Sequence, residues 1–346
     1  MMRLLSTCLV LVLALSLAGC QPGDGGDSSS ELVIYSGRSK ALVDSLVEQY
    51  RQQTGAEVSV RYGSDAQLLA ALNEEGDQSP ADVFWANTTG ALGNAIDNNL
   101  LTTLPDSLME RPARFAPSGG RWAPVTTRFR VLAYNAERVD STDLPASVAD
   151  LPEMTDMEGR IGWTPTYSSF QDFVTALRVL EGDDTASAWL QGIEALNPKS
   201  YPSNTPMIQA LAAGEIDVAL TNHYYVLRLK HGDAKSDATP QPGAPVATYH
   251  FAEGDVGNLA LVTGAGVLQT SDQSAEAQKF LRFLLSDAAQ QFAAQRLNEY
   301  PVVEGVPVQP YMMPVNEALQ MSPEFDFERL KELDATLELL RAEGLL

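Results

Sequence analysis

The sequence predicts an α/β fold, a mostly parallel sheet covered by helices on both faces and divided into two lobes with a cleft between them. Short apolar runs of strand character alternate with stretches of helical spacing almost from end to end, the pattern of strand–helix–strand units. A chain of 346 residues built throughout from such units divides more readily into two cores than into one large sheet. Ligands of such folds sit at the carboxyl ends of strands, beside helix N-termini.

The elements follow in order. Leu32 to Tyr35 reads as a buried strand, ended by the turn Ser36-Gly37. Ala41 to Gln53 carries Leu42, Leu46, Val47 and Tyr50 at helical spacing and stops at Gly55, as a helix with a glycine end signal does. Glu57 to Tyr62 alternates as a second strand, Ser64 can cap a helix through Leu72, and Asp82 to Trp85 is a third strand. Arg130 to Asn135 and Arg160 to Trp163 read as strands, Phe170 to Leu180 and Thr185 to Leu196 as helices. Thr205 to Ala213 is a helix closed by Gly214, followed by the strand Ile216 to Leu220 and a helical run to Lys230. Ala247 to Phe251 and Asn258 to Val262 are strand-like, while Ala275 to Leu285, Asp287 to Leu297 and Phe327 to Glu343 are helical.

The first thirty residues have a different character. A positive start at Arg3, an apolar run from Leu4 to Leu17 and the small pair Ala18-Gly19 before Cys20 have the order of a secretory signal. The apolar run falls short of the roughly 20 residues that a bilayer-spanning helix needs. Leu17-Ala18-Gly19-Cys20 is similar to a bacterial lipobox, which implies removal of residues 1–19 and diacylation of Cys20. An ordinary signal with an incidental cysteine is the other reading. Residues 20–30 are then a lipidated tether rich in Gly, Ser and Asp, flexible and without apolar content. The expected location is the periplasm or cell surface, anchored to the membrane through that lipid. The other cysteine, Cys8, lies inside the leader, so a mature chain has no disulfide and depends on its core.

Charge and composition exclude several functions. With 45 acidic against 23 basic residues the net charge is −22, and a surface of that sign repels nucleic acid and anionic lipid while attracting cations. Adaptation to a saline habitat would give the same composition. Three histidines, His223, His231 and His250, are all that the chain offers. No HExxH, GxSxG, P-loop or dinucleotide-binding motif is present, so no enzyme is expected from these signatures. Acids are plentiful enough that a carboxylate pair stays open on composition alone.

The segment with chemical interest is Thr221-Asn222-His223-Tyr224-Tyr225, directly after a strand and opening a helix. Packing against the strand end is the ordinary use of such a tyrosine pair. Ligation of a cation is the other: phenolate oxygen is a hard donor suited to a hard, highly charged ion.

Across nearly all of residues 31 to 346 the chain resembles the periplasmic ferric-ion-binding proteins that feed ABC iron importers. The resemblance runs through ELVIYSGRSK, SPADVFWA, GRIGWTPTYSSF, AAGEIDVALTNHYYV, AEAQKFLRFLLS and NEYPV, with the double-tyrosine segment the specific one. It implies a periplasmic binding protein fold of type II, with two lobes, a ligand cleft and a strand hinge. It implies further that Tyr224 and Tyr225 hold ferric iron together with a synergistic anion, carbonate or phosphate, and that a monomer hands iron to an ABC permease. Some members add a histidine and a glutamate from the other wall. Here Ser39 and Asn87 stand at those positions, so that half of the ligand set is missing. Other branches rely on a third tyrosine, and Tyr167 is positioned for it, with simple cleft lining as its alternative. The anion contacts expected are Thr166, Ser168, Asn204 and Asn222, with Arg38 and Arg128 preferred over Arg130 as charged partners, although surface or hinge roles remain open for each arginine. The lobes are expected at 31–129 plus 253–303 and at 130–252 plus 304–346. A different cargo in the same cleft, such as an oxyanion, a phosphonate or an organic cation, is the first rival, and an enzyme built on the cleft the second.

Overall fold

The computed structural model describes residues 31–112, 115–234 and 238–346. The expected leader, Cys20 and the tether lie outside the described residues.

The chain begins β1 (Leu32–Ser36), α1 (Lys40–Thr54), β2 (Val58–Tyr62), α2 (Asp65–Glu75), β3 (Val83–Ala86), α3 (Thr89–Asp97) and the short α4 (Asp106–Met109). Local chemistry sets these boundaries. Gly55 ends α1 at φ 73°, a left-handed conformation that glycine takes without strain. Ser64 and Gln67 close a reciprocal capping box at the start of α2, satisfying two backbone donors that the helix leaves open.

There follow β4 (Ala123–Asn135), β5 (Ile161–Trp163), α5 (Ser168–Glu181), α6 (Asp183–Ala195), β6 (Lys199–Ser200), α7 (Asn204–Ala212), β7 (Val218–Asn222) and α8 (His223–His231). The last part holds β8 (Val246–Tyr249), β9 (Ala260–Val267), α9 (Ser274–Leu284), α10 (Asp287–Leu297), β10 (Tyr300–Pro301), α11 (Val315–Met321) and α12 (Leu333–Ala342).

The strands join in the order β2-β1-β3-β9-β4-β7-β5-β6, with β8 and β10 also paired to β4. The sheet is mixed rather than mostly parallel. The β2-β1-β3 and β7-β5-β6 groups are parallel, because a helix returns the chain between their strands. Every pair involving β4, and β3 with β9, is antiparallel. Strand–helix alternation in the sequence reports the first kind of pair and is blind to the second.

β4 ties the two groups together. Up to Phe129 it pairs with β9, and from Arg130 onward with β7, where Arg130 faces Asn222. Each group has its own apolar core. One gathers Leu32, Ile34, Phe84 and Trp85 with Phe280 and Leu281, the other Trp163, Phe170, Phe173 and Trp189 with Val218, Leu220 and Leu340.

The C-terminal segment departs from the expected single helix 327–343. Phe327–Glu332 forms a 3-10 helix and only then does α12 begin. The tighter turn lies against α3, where Thr89 Oγ donates to the Phe327 carbonyl at 2.8 Å. A Cβ on Gly90 would stand 2.6 Å from the Leu330 carbonyl oxygen, so glycine is what admits this close approach.

Candidate functional site

The carboxyl ends of β1, β3, β5 and β7 and the N-termini of α1, α5, α7 and α8 converge on a cleft of about 350 Å³, which Arg128 of β4 also lines. Parallel strand–helix units force this convergence, since each helix starts where its strand ends. Helix N-termini also bring unpaired N–H groups and the positive end of the helix dipole, both of which favour anionic groups.

Three tyrosines meet on one wall. Tyr224 and Tyr225 lie in the first turn of α8, with Asn222 as its N-cap residue. Tyr167 is the N-cap residue of α5. The hydroxyls of Tyr167 and Tyr225 are 2.8 Å apart, and the rings of Tyr224 and Tyr225 pack at 4.3 Å between centroids. The Arg228 guanidinium, one turn further along α8, lies 5.2 Å and 5.1 Å from those two rings and is held by Asp233 at 2.6 Å. Burial, and then the neighbouring Tyr224 and Tyr167, push the Tyr225 phenol above its usual range; burial and Tyr224 do the same to Tyr167. Without a cation these phenols are protonated near neutral pH.

The opposite wall is cationic. The Asn87 side-chain oxygen accepts from Arg38 at 2.8 Å and from Arg128 at 3.0 Å, and Arg128 also donates to the Asn87 carbonyl at 2.9 Å. Arg38 is anchored to the fully buried Glu299 at 2.6 Å. Behind Arg128, Arg130 donates to Asn222 at 3.1 Å and to Ser169 at 3.3 Å. The Nε atoms of Arg38, Arg128 and Arg130, and Nη2 of Arg130, are buried without a hydrogen-bond partner. Buried donors left open in this way are costly unless a ligand or water takes them. Asp172, on α5, is buried among these charges. Burial pushes its carboxyl up to about 7, with Asp65 adding to the shift and Arg128 and Arg130 opposing it.

The sequence-selected residues fare unequally. Tyr224, Tyr225, Tyr167, Arg38, Arg128, Ser168 and Asn222 all line the cleft, as do Ser39 and Asn87. Thr166 does not: it is exposed on the approach to α5, outside the lining. Asn204 is also outside the lining, fully buried, and its amide donates to Ser169 behind the wall at 3.2 Å. Asp172, Ser169 and Arg228 line the cleft without having been singled out. Asp172 had a signal, a lone acid inside the apolar stripe Phe170, Phe173, Val174 and Leu177 of α5. Arg228 had one too, four residues after Tyr224 and so on the same helix face.

The donor set suits a hard cation. Among the described residues no group of three His, Cys, Asp or Glu side chains is placed to hold a metal; the three phenols are the oxygen donors grouped on one wall, with the Asp172 carboxyl and several Ser and Asn side chains also lining the cleft. His223 faces away, Nδ1 accepting from Phe129 N–H at 3.2 Å and Nε2 donating to the Asn298 carbonyl at 2.8 Å. Phenolates of this kind neutralise a highly charged ion, while the guanidiniums opposite suit an accompanying anion.

Comparison with known proteins extends this geometry. Residues 32–296 match the family model described as bacterial extracellular solute-binding protein. The chain is 29% identical to the Fe(3+)-binding periplasmic protein of Serratia marcescens, over 100% of this chain and 99% of that one. It is 31% identical to the major ferric iron-binding protein of Neisseria meningitidis serogroup B, over 79% and 81%. Among solved structures, iron-bound HitA from Pseudomonas aeruginosa superposes with a TM-score of 0.82 at 32% identity, covering 91% of this chain and 99% of that one. A Trichodesmium protein in complex with iron and citrate superposes with a TM-score of 0.77 at 26% identity, covering 91% and 100%.

Proposed function

This chain belongs to the bacterial extracellular solute-binding protein family, in its branch of ferric-ion-binding proteins, and is a binding protein rather than an enzyme; we propose that it captures ferric iron as the substrate-binding component of an ABC importer. Iron is taken by the hydroxyls of Tyr224, Tyr225 and Tyr167 as phenolates. A synergistic anion, carbonate or phosphate, fills the remaining coordination positions. Arg128, Arg38, Ser168 and Asn222 hold that anion, with the N-termini of α5 and α7 beside it. Thr166 and Asn204 drop out of the anion set, because neither reaches the cleft.

Iron binds first to the tyrosine wall. Closure about the crossing of β4 and β9 then brings the arginine wall over it, a rotation absorbed at few residues. In this reading the lobes are 31–129 plus 253–303 and 130–252 plus 304–346. The protein works as a periplasmic monomer, tethered by a lipid on Cys20, and its closed form is what the permease recognises.

The observation that carries the proposal is the meeting of the Tyr167 and Tyr225 hydroxyls beside the Tyr224 ring, from two helix N-termini. The test is an absorbance titration with ferric citrate, with and without bicarbonate or phosphate. An iron carrier turns orange to red through tyrosinate-to-iron charge transfer, saturating at one iron per chain. The arginine wall alone would suit an oxyanion cargo; in that case phosphate binds without iron and the protein stays colourless.

A further inference from the structure

Two adjacent residues outside the cleft contact both of its walls. Asn298 ends α10 in the left-handed conformation, φ 58°. Its carbonyl accepts from His223, the first residue of the tyrosine helix α8, at 2.8 Å. Its side-chain amide donates to the carbonyl of Gly232, just past the end of that helix, at 3.1 Å, and its side-chain oxygen accepts from Tyr311 at 2.8 Å. One residue therefore clasps α8 at both ends. Its neighbour, Glu299, is fully buried and accepts from Arg38 of the opposite wall and from Thr126 of β4, each at 2.6 Å. The next residues, Tyr300–Pro301, pair with β4 itself.

We propose that Asn298 and Glu299 are positioning residues that keep the tyrosine helix and the arginine wall in register across the cleft. Neither touches the cargo. Asn298 acts on Tyr224 and Tyr225 by fixing the helix that carries them, and Glu299 acts on the anion by fixing Arg38. Because the two are joined by a single peptide bond, a shift of one wall is transmitted to the other. The consequence for cargo rests on the iron reading; the clasp itself does not.

Asn298→Gly is the informative variant, since glycine accepts a positive φ without strain and only the side chain is lost. In the cargo-free protein, hydrogen exchange of the α8 amides should quicken while α5 stays as in the parent. In the iron-loaded protein, the charge-transfer band should shift and iron should leave about tenfold faster, the scale of one or two buried hydrogen bonds. Glu299→Gln should leave the band in place and raise the anion concentration needed for half-saturation. Unchanged α8 exchange in Asn298→Gly overturns the clasp whatever the cargo is. Faster exchange with unaltered iron release and spectrum overturns the positioning role. If exchange quickens but the parent never colours with iron, the clasp stands and the iron reading falls.

Discussion

The hydroxyl oxygens of Tyr167 and Tyr225 lie 2.8 Å apart although the residues are 58 positions apart in sequence. As neutral phenols they share one proton in a hydrogen bond. As two phenolates they would repel strongly in a buried site unless a cation stood between or beside them. Exchange of the two phenol protons for a shared cation is the chemical step on which the proposed function turns.

Proton release follows from it. Burial first, and the neighbouring tyrosines next, hold Tyr225 and Tyr167 above the usual phenol range. The empty protein thus binds more protons than the loaded one, so iron affinity should rise with pH and fall as the medium is acidified. A pH-stat titration with ferric citrate should register one proton for each phenol that ligates, once the protons taken up by the freed citrate are added back. No phenol protons after that correction would mean that phenols are not the ligands.

Asp172 gives a stability prediction of opposite character. Its carboxyl is pushed up to about 7, burial being the largest cause. The folded protein therefore holds this proton more tightly than the unfolded chain, and stability falls as pH rises from about 4 through 7. Asp172→Asn removes that fall. The variant should unfold several degrees higher than the parent at about pH 8 and at nearly the parent temperature at about pH 4, by thermal melts at constant ionic strength.

Gly37 tests the arginine wall through backbone space. A Cβ there would fall on the Asp65 carboxylate, which accepts from the Asn87 and Thr88 backbone N–H groups and from Thr88 Oγ, each at 3.0 Å. Gly37→Ala should cost about 1–3 kcal/mol of stability by overpacking and weaken anion-supported iron binding through displacement of Asn87. Gly243→Ala, where nothing stands within 4 Å of the added atom, is the matched control and should change neither the melt nor the titration.

Much of this was legible in the sequence where a local rule matched the tertiary one. Gly55, Ser64 and Gly214 punctuate their helices as such residues do, and the tyrosine segment lies at a strand end because strand–helix alternation put it there. Where two rules competed, the local reading failed. TGALGNAID carries two glycines, which disfavour a helix interior, yet it forms α3; Gly90 admits the Leu330 backbone and Gly93 the Glu328 carbonyl and the Lys331 side chain. The first half of β4 and all of β10 pair antiparallel with strands remote in sequence, and no local period reports such partners. Asn204 and Thr166 have the right chemistry for an anion site, but Asn204 is turned behind the wall at the start of α7 and Thr166 faces solvent in the turn before α5; side-chain direction at a helix start is not legible from residue type. Glu299 lies within NEYPV, a segment already noted for its resemblance, but its pairing with Arg38 spans 261 residues.

The absorbance spectrum of Tyr225→Phe, recorded beside that of the parent protein during the same ferric citrate titration, tests the central claim most directly. The parent should develop a visible tyrosinate–iron band, and the variant should lose most of it and bind iron at least about a hundredfold more weakly, the cost of one anionic ligand to a hard cation. A variant that colours as deeply and binds as tightly as the parent would contradict the account.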